Sequence, residues 1–304
     1  MPKLLLIDGT ALVFRAFYGI RNPMINSQGL QTNAIYGFFN ILFKTLMTYQ
    51  PDYFAVCFDR SEPTRRHKQY DDYKANRTKA PDELYSQIPI IKHILKEGEL
   101  NLIEYPGFEA DDIIATIDTK NNKDNLETLI YSADFDLLQL VSKYTKVIIP
   151  SSKEEKIITP EKFLEKHQIK PTQVPDLKGL SGDSSDNLPG VKGIGPKTAT
   201  KLLLKYETLE NIYSNIDQIK GSNKEKLVKD KQIALLCKNL AKLDYNAPVS
   251  TQLDDYSKHN INLQKIQDEF QKIEFNRLIQ RSNQLQRSLN IEKVKIDKKQ
   301  ASLF

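Results

Sequence analysis

Three short apolar runs in the first half of the chain each close on an aspartate. They read Leu-Leu-Leu-Ile-Asp8, Ala-Val-Cys-Phe-Asp59 and Leu-Ile-Tyr-Ser-Ala-Asp134. Runs of this length suit strands buried on both faces, the kind found in parallel sheets. Parallel strands need crossover helices between them, and the intervening sequence supplies them. Residues 32–49 carry Ala34, Ile35, Phe38, Phe39, Leu42, Phe43 and Leu46 at helical spacing. The stretches opening at Pro81 and Glu109 repeat the pattern with Ile88, Ile91 and Leu95 and with Ile113, Ile114 and Ile117. Further strands are read at 100–104 and 146–150. The expected fold is α/β, with a mostly parallel central sheet and helices on both faces.

After about residue 160 the strand signal fades. Segments 160–167, 171–180, 196–206, 209–213 and 223–243 read as helices, several with proline in the first turn, where its missing N–H costs nothing. A chain of 304 residues is long for a single domain. The expected division is an α/β core over 1–160, a helical region over 161–281 and a polar, lysine-rich mobile tail over 282–304. Two cysteines, Cys57 and Cys237, cannot form a disulfide framework. No apolar run approaches the ~20 residues of a membrane span, and no leader-like segment precedes the first strand. A cytoplasmic monomer without membrane association is expected.

If the sheet is parallel, the three strand-end aspartates share the edge where open α/β sheets bind ligands. Phe108-Glu109-Ala110-Asp111-Asp112 sets three more acids in the first turn of a helix. Asp136 follows Asp134, and Asp183 and Asp186 stand in Ser-Gly-Asp-Ser-Ser-Asp-Asn. Helix capping accounts for any one of these acids alone. All nine on one edge could not stay ionised without counter-charge. Oxygen donors, four histidines and no cysteine cluster favour two or more Mg²⁺ or Mn²⁺ ions over Zn²⁺.

Two other stretches point to nucleic acid. Leu188-Pro-Gly190-Val-Lys192-Gly193-Ile194-Gly195-Pro-Lys197-Thr-Ala reads as a helix–hairpin–helix over 188–204. Its glycines let backbone N–H groups approach a DNA phosphate, an ordinary turn between helices being the plain alternative. A P-loop does not fit, because Pro196 splits Gly195 from Lys197; a dinucleotide fingerprint lacks its third glycine. Residues 60–79 are basic, interleaved with Tyr70 and Tyr73 and devoid of an apolar face. A helix there would put Lys74 and Arg77 on one side. Cations for phosphates and rings for bases suit a single strand of nucleic acid; a solvated charged loop is the alternative.

Taken together, the chain resembles the 5′-nuclease family, in particular the 5′→3′ exonuclease domain at the start of bacterial DNA polymerase I and its free-standing counterparts. The resemblance covers about residues 3–278. It rests on Leu-Ile-Asp8-Gly, Phe-Asp59, Arg66…Tyr73-Lys74-x-x-Arg77, Pro-Gly-Phe-Glu109-Ala-Asp111-Asp112, Ser-Ala-Asp134-x-Asp136 and Gly-Asp183-x-Ser-Asp186-Asn-Leu-Pro-Gly-Val-Lys-Gly-Ile-Gly. The resemblance implies that Asp8, Asp59, Glu109, Asp111, Asp112, Asp134, Asp136, Asp183 and Asp186 hold metal. It implies that Arg15, Arg66, Tyr73, Lys74 and Arg77 meet the 5′ strand, with Lys74 and Arg66 at the scissile phosphate. Residues 64–79 would form part of a helical arch admitting a 5′ flap. Gly190, Lys192, Gly193, Ile194, Gly195 and Lys197 would hold the downstream duplex, with K⁺ at the hairpin. Arg65 departs from relatives, which often carry an aromatic there.

The implied activity is a divalent-metal-dependent 5′→3′ exonuclease and flap endonuclease acting on DNA with 5′ ends or flaps, in Okazaki-fragment maturation and repair. An RNA–DNA hybrid is a further substrate class. A non-catalytic DNA-binding accessory is the competing reading, and the complete acidic set argues against it. The closing Gln300-Ala-Ser-Leu303-Phe304 resembles the Gln-x-x-Leu-Phe peptide by which bacterial proteins bind the sliding clamp. No polymerase-like segment follows, so a free-standing nuclease recruited by the clamp is expected. The net charge of +5 conceals a separation: without the nine acids, 44 basic residues face 30 acidic ones. Salt-dependent DNA binding is the expected signature.

Overall fold

The computed structural model describes residues 1–122, 125–151 and 153–301, with the backbone alone from 289 onward. Six strands form one sheet: β1 (Lys3–Asp8), β2 (Tyr53–Cys57), β3 (Leu102–Ile103), β4 (Glu127–Tyr131), β5 (Thr145–Ile149) and β6 (Lys156–Ile158). Their order is β3-β2-β1-β4-β5-β6. The first five are parallel, and β6 runs antiparallel to β5 with Val147 opposite Ile158. Sequence reading missed β6, whose apolar signal is only Ile157 and Ile158. The order reverses at β1, with β2 and β3 on one side and β4 and β5 on the other. The crevice at the carboxyl ends of β1 and β4 is therefore the switch point where such sheets bind ligands.

Helices α1 (Gly9–Gly19), α2 (Asn33–Tyr49), α3 (Arg65–Gln69), α4 (Asp82–Tyr85), α5 (Gln87–Glu97) and α6 (Ala110–Asn121) alternate with the strands. Then come α7 (Pro160–His167), α8 (Val174–Ser181), α9 (Pro196–Tyr206), α10 (Leu209–Ser214), α11 (Ser222–Lys229), α12 (Lys231–Ala241), α13 (Leu263–Lys272) and α14 (Asn276–Ala301).

Side-chain alternation on β1 explains why two helical layers are needed. Leu5 and Ile7 pack with α1, α2, α5 and, from the far end of the chain, α13 and α14. Leu4 and Leu6 face the opposite layer, built from α6 and continuous with the helical region. No helix among the described residues is long and apolar enough to cross a membrane.

Three expectations change. The stretch 223–243 is not one helix: it breaks at Asp230, whose carboxylate turns away to accept from the Lys192 N–H at 2.9 Å. The tail does not start at 282. Leu278, Ser282 and Leu285 recur at i, i+4 and i+7 and are all buried, so α14 continues through the expected boundary. Its many polar residues hid that narrow buried stripe. Of residues 64–79, expected to form part of a helical arch, only α3 is helical, and turns follow it. Lys74 takes a left-handed φ of 58°, which a helix through 70–77 would forbid.

Candidate active site

Backbone geometry gathers the acids. Asp8 ends β1 and caps α1; its Oδ1 accepts from the Ala11 N–H at 2.9 Å and its Oδ2 from Ser132 Oγ at 2.9 Å. Asp59 lies just beyond β2. Its N–H donates to Thr10 Oγ1 at 3.0 Å, and its Oδ1 accepts from the Ala110 N–H at 2.7 Å, at the start of α6. Asp134 follows β4; its N–H donates to Ser132 Oγ at 3.0 Å and its Oδ1 accepts from the Asp136 N–H at 2.9 Å. These three acids, with Asp111 and Glu109, line a cavity of about 180 Å³ that Lys74 and Arg77 also border.

The cavity is electrostatically divided. Burial, with the charges of Asp59 and Asp134 beside it, pushes the Asp8 carboxyl up to about 7. Burial also holds Asp111 well above the usual carboxylate range, against the pull of Arg66. Glu109 behaves oppositely. Burial disfavours its charge, but Lys74 and Arg66 outweigh burial and draw it down to about 2. Its Oε2 accepts from Lys74 Nζ at 2.7 Å and its Oε1 from Thr64 Oγ1 at 3.0 Å.

The chain between β2 and α4 folds down onto this site. Arg66 is 3% exposed. Its two terminal nitrogens grip Asp112 at 2.9 and 2.7 Å, and Nε donates to the Leu240 carbonyl at 2.9 Å. Arg66 and Asp112 thus stand behind the cavity, and neither lines it. This differs from the expectation of a phosphate-binding arginine and a metal-binding aspartate; the bidentate fit to each other is the reason. Tyr73 differs too. It is buried with Leu188, Cys237 and Leu240, its hydroxyl 3.3 Å from Glu109. Lys74 borders the cavity, its N–H donating to the Asp186 carbonyl at 3.1 Å. Arg77 is exposed and reaches Asp186 at 2.8 Å. Arg15 lies one turn past Ala11 on α1, in an adjoining pocket with Asp8 and Ser132.

Asp136, Asp183 and Asp186 form a separate group, one carboxylate oxygen of each lying within 4.8 Å of the others. Lys178 enters this group, a residue that sequence reading missed. Its only signal was a lysine five positions before Asp183, in a helix otherwise read for packing. Burial pushes Asp136 up to about 7 despite Lys178. Asp183 is held low by Lys178 and Ser185 although burial opposes them. Ser132, Thr10 and Thr64 were also missed, because hydroxyls that orient carboxylates leave no pattern in a single sequence.

A paired backbone bridge between Asp183 and Leu188, 2.8 Å in each direction, sets the loop carrying Asp183 and Asp186. Gly182 and Gly190 cross beneath it. A Cβ on Gly190, whose φ is +62°, would lie 2.1 Å from the Gly182 nitrogen, so only glycine fits. Beyond it, Gly193 turns the chain, Gly195 caps α9 and Pro196 opens it. Lys192 and Lys197 are exposed, whereas Ile194 is buried and anchors the turn to the core. The Gly193 carbonyl accepts from Lys226 Nζ at 3.2 Å. Of the clamp-like peptide, Gln300 belongs to the backbone of α14, and Leu303 and Phe304 lie outside the described residues.

The model of the 5'-3' exonuclease N-terminal, resolvase-like domain matches residues 3–168, and that of the C-terminal SAM fold matches 169–264. The chain belongs to the 5'-3' exonuclease family. Within this family, DNA polymerase I of Caldicellulosiruptor bescii is 41% identical over 92% of this chain. The chain spans 33% of that polymerase, about a third of the length of such relatives. The 5'-3' exonuclease of Aquifex aeolicus is 38% identical, over 92% of this chain and 94% of its own. A T5 5'-exonuclease structure with bound divalent zinc ions superposes with a TM-score of 0.65 at 21% identity, over 89% of this chain and 98% of that one. A T5 flap endonuclease in a pseudo-enzyme-product complex with DNA and metal ions gives 0.63 at 19%, over 94% and 98%. At those identities the likeness is one of fold.

Proposed function

We propose that this chain is a structure-selective, divalent-metal-dependent 5′ nuclease that hydrolyses phosphodiesters near 5′ ends and flaps. The observation that carries this reading is the convergence of Asp8, Asp59, Asp111 and Asp134 on one cavity at the sheet's switch point, beside Lys74. A hard divalent cation fits the donor set. The ligands are all oxygen, and burial with the charges of Asp59 and Asp134 beside it holds Asp8 near 7. Mg²⁺ or Mn²⁺ suits such donors. Bound there, two such ions would stabilise charge on the phosphate and lower the pKa of an attacking water.

The chain's own residues supply the rest. Lys74 reaches the cavity from the rim and offers its ammonium to a phosphate oxygen. Arg77, exposed and forked, can grip a neighbouring phosphate. Arg66 acts from behind, fixing Asp112 and with it the first turn of α6, so that Asp111 and Glu109 keep their positions. Arg15 extends positive charge along α1 for the incoming strand. At the glycine turn the exposed Lys192 and Lys197 and the N-terminus of α9 present cations and N–H groups to the downstream duplex. Such contacts position DNA without reading its sequence. K⁺ at the hairpin belongs to this reading, near the Gly193 carbonyl that Lys226 Nζ also approaches. Hydrolysis would leave a 5′-phosphate and a 3′-hydroxyl.

This chemistry suits removal of 5′ flaps, with DNA or an RNA–DNA hybrid in the downstream strand, during Okazaki-fragment maturation and repair. Two free, buried cysteines suit a reducing, cytoplasmic setting. Gln300, Leu303 and Phe304 support recruitment by the sliding clamp; capture on immobilised clamp, lost when 300–304 are deleted, tests it. The decisive experiment uses a 5′-labelled double-flap substrate with Mg²⁺ or Mn²⁺. The parent should release short 5′ products. Asp134→Ala should bind the flap but cleave at least about a hundredfold more slowly, as loss of a charge-stabilising group does. Cleavage by this variant at the parent rate would sink the metal assignment.

A further inference from the structure

The nine acids do not share one electrostatic environment. Asp8 and Asp59 are held by N–H and hydroxyl donors from Ala11, Ser132 and Ala110. Asp136, Asp183 and Asp186 instead meet protein cations. The Lys178 ammonium makes a close ion pair with Asp136 and a second of 2.5 Å with Asp183. Lys178 is 5% exposed, and Arg77 takes Asp186 from the solvent side. None of the three acids lines the cavity of Asp8, Asp59 and Asp134.

Lys178 has little freedom to leave. It sits near the end of α8, which packs tightly against α12: a Cβ on its neighbour Gly179 would come within 2.9 Å of the Ala234 carbonyl. Only glycine allows so close an approach of the two helices at this point.

We propose that Lys178 is the resident cation of the Asp136–Asp183–Asp186 group and sets how strongly that group binds a divalent ion. This rests on the metal-dependent reading above and makes it asymmetric. A buried ammonium already pairs two of the three carboxylates, so an incoming divalent ion must share them against like-charge repulsion. Lys74 and Arg77 border the Asp8–Asp59–Asp134 cavity, but their ion pairs among the described residues are with Glu109 and Asp186, so that group fills first. Lys178 is a positioning residue in this scheme: it touches neither substrate nor the reacting phosphate, and acts through the carboxylates.

Mn²⁺ titration followed by electron paramagnetic resonance, without DNA or turnover, tests this. The parent should show one tight class of site, abolished by Asp8→Asn, and one weaker class. Lys178→Met should tighten the weaker class by at least about tenfold, since one nearby unit of positive charge is gone. Lys178→Arg, which keeps the charge, should titrate like the parent. A purely structural lysine would not yield a gain in affinity on removal. Lys178→Gln is neutral and still able to donate to both carboxylates, and it makes the same test if the methionine variant does not fold. Titrations of the neutral variants that superimpose on the parent's would overturn the proposal while leaving the nuclease reading intact. A parent that binds no Mn²⁺ would overturn both.

Discussion

At Arg66 one guanidinium ties together three distant parts of the chain. Its fork holds Asp112 of α6, its Nε holds the Leu240 carbonyl of α12, and it lies 3.5 Å from Asp111. Arg66→Ala would leave Asp112 buried without its partner, at a cost of ~3–5 kcal/mol, readable by urea denaturation. Arg66→Lys should recover only part of this, because a lysine cannot make the paired contact. A second residue-scale prediction concerns Asp118. It is buried, it accepts from Thr145 Oγ1 at 2.7 Å, and burial pushes its carboxyl up to about 7. The folded state therefore holds its proton more tightly than the unfolded chain does. The stability this contributes is complete below about pH 4 and is lost as pH rises through 7. Asp118→Asn should flatten that part of the profile and leave the protein roughly 1–3 kcal/mol more stable than the parent at pH 8. Asp8 titrates in the same range. Divalent ions should suppress the Asp8 contribution and leave that of Asp118, so thermal melts with and without Mg²⁺ separate the two.

Elements with a strong repeating pattern were legible in the sequence. The apolar runs ending at Asp8, Asp59 and Asp134 gave β1, β2 and β4 and the shared edge of the acids. The expected helices at 160–167 and 196–206 match α7 and α9 at both ends. What escaped has physical reasons. The edge strand β6 depends on its partner more than on its own residues. The segment 60–79 takes its shape from buried ion pairs of Arg66 and Lys74 with acids some 35 to 46 positions away, which no local pattern records. In α14 a buried stripe of Leu278, Ser282 and Leu285 runs through polar sequence. Leu285→Ala should therefore cost ~2–5 kcal/mol in urea denaturation, as for other buried leucines. An unchanged midpoint would mean that α14 does not hold the layer beneath it.

Over the whole molecule, the modest net charge divides into an acidic centre and basic surroundings. Lys74 and Arg77 face the cavity, and Lys192, Lys197 and the lysines of the last helix lie elsewhere in the chain. DNA held by such a surface releases counterions on binding. The apparent dissociation constant for a flap substrate, measured in Ca²⁺ to prevent turnover, should rise at least about tenfold between 50 and 200 mM salt. A flat dependence would mean that backbone charge does not hold the DNA. The packing of α13 and α14 on α2 bears on how the protein is made. Phe270 packs between Phe39 and Phe43, with ring centroids 5.1 and 6.0 Å away. The ribosome produces α2 early and its covering helices more than two hundred residues later. At ~5–20 residues per second, the aromatic face of α2 waits on the order of 10–50 s for its cover. Through that interval a nascent nuclease carries an open apolar layer, and the cell must shield it.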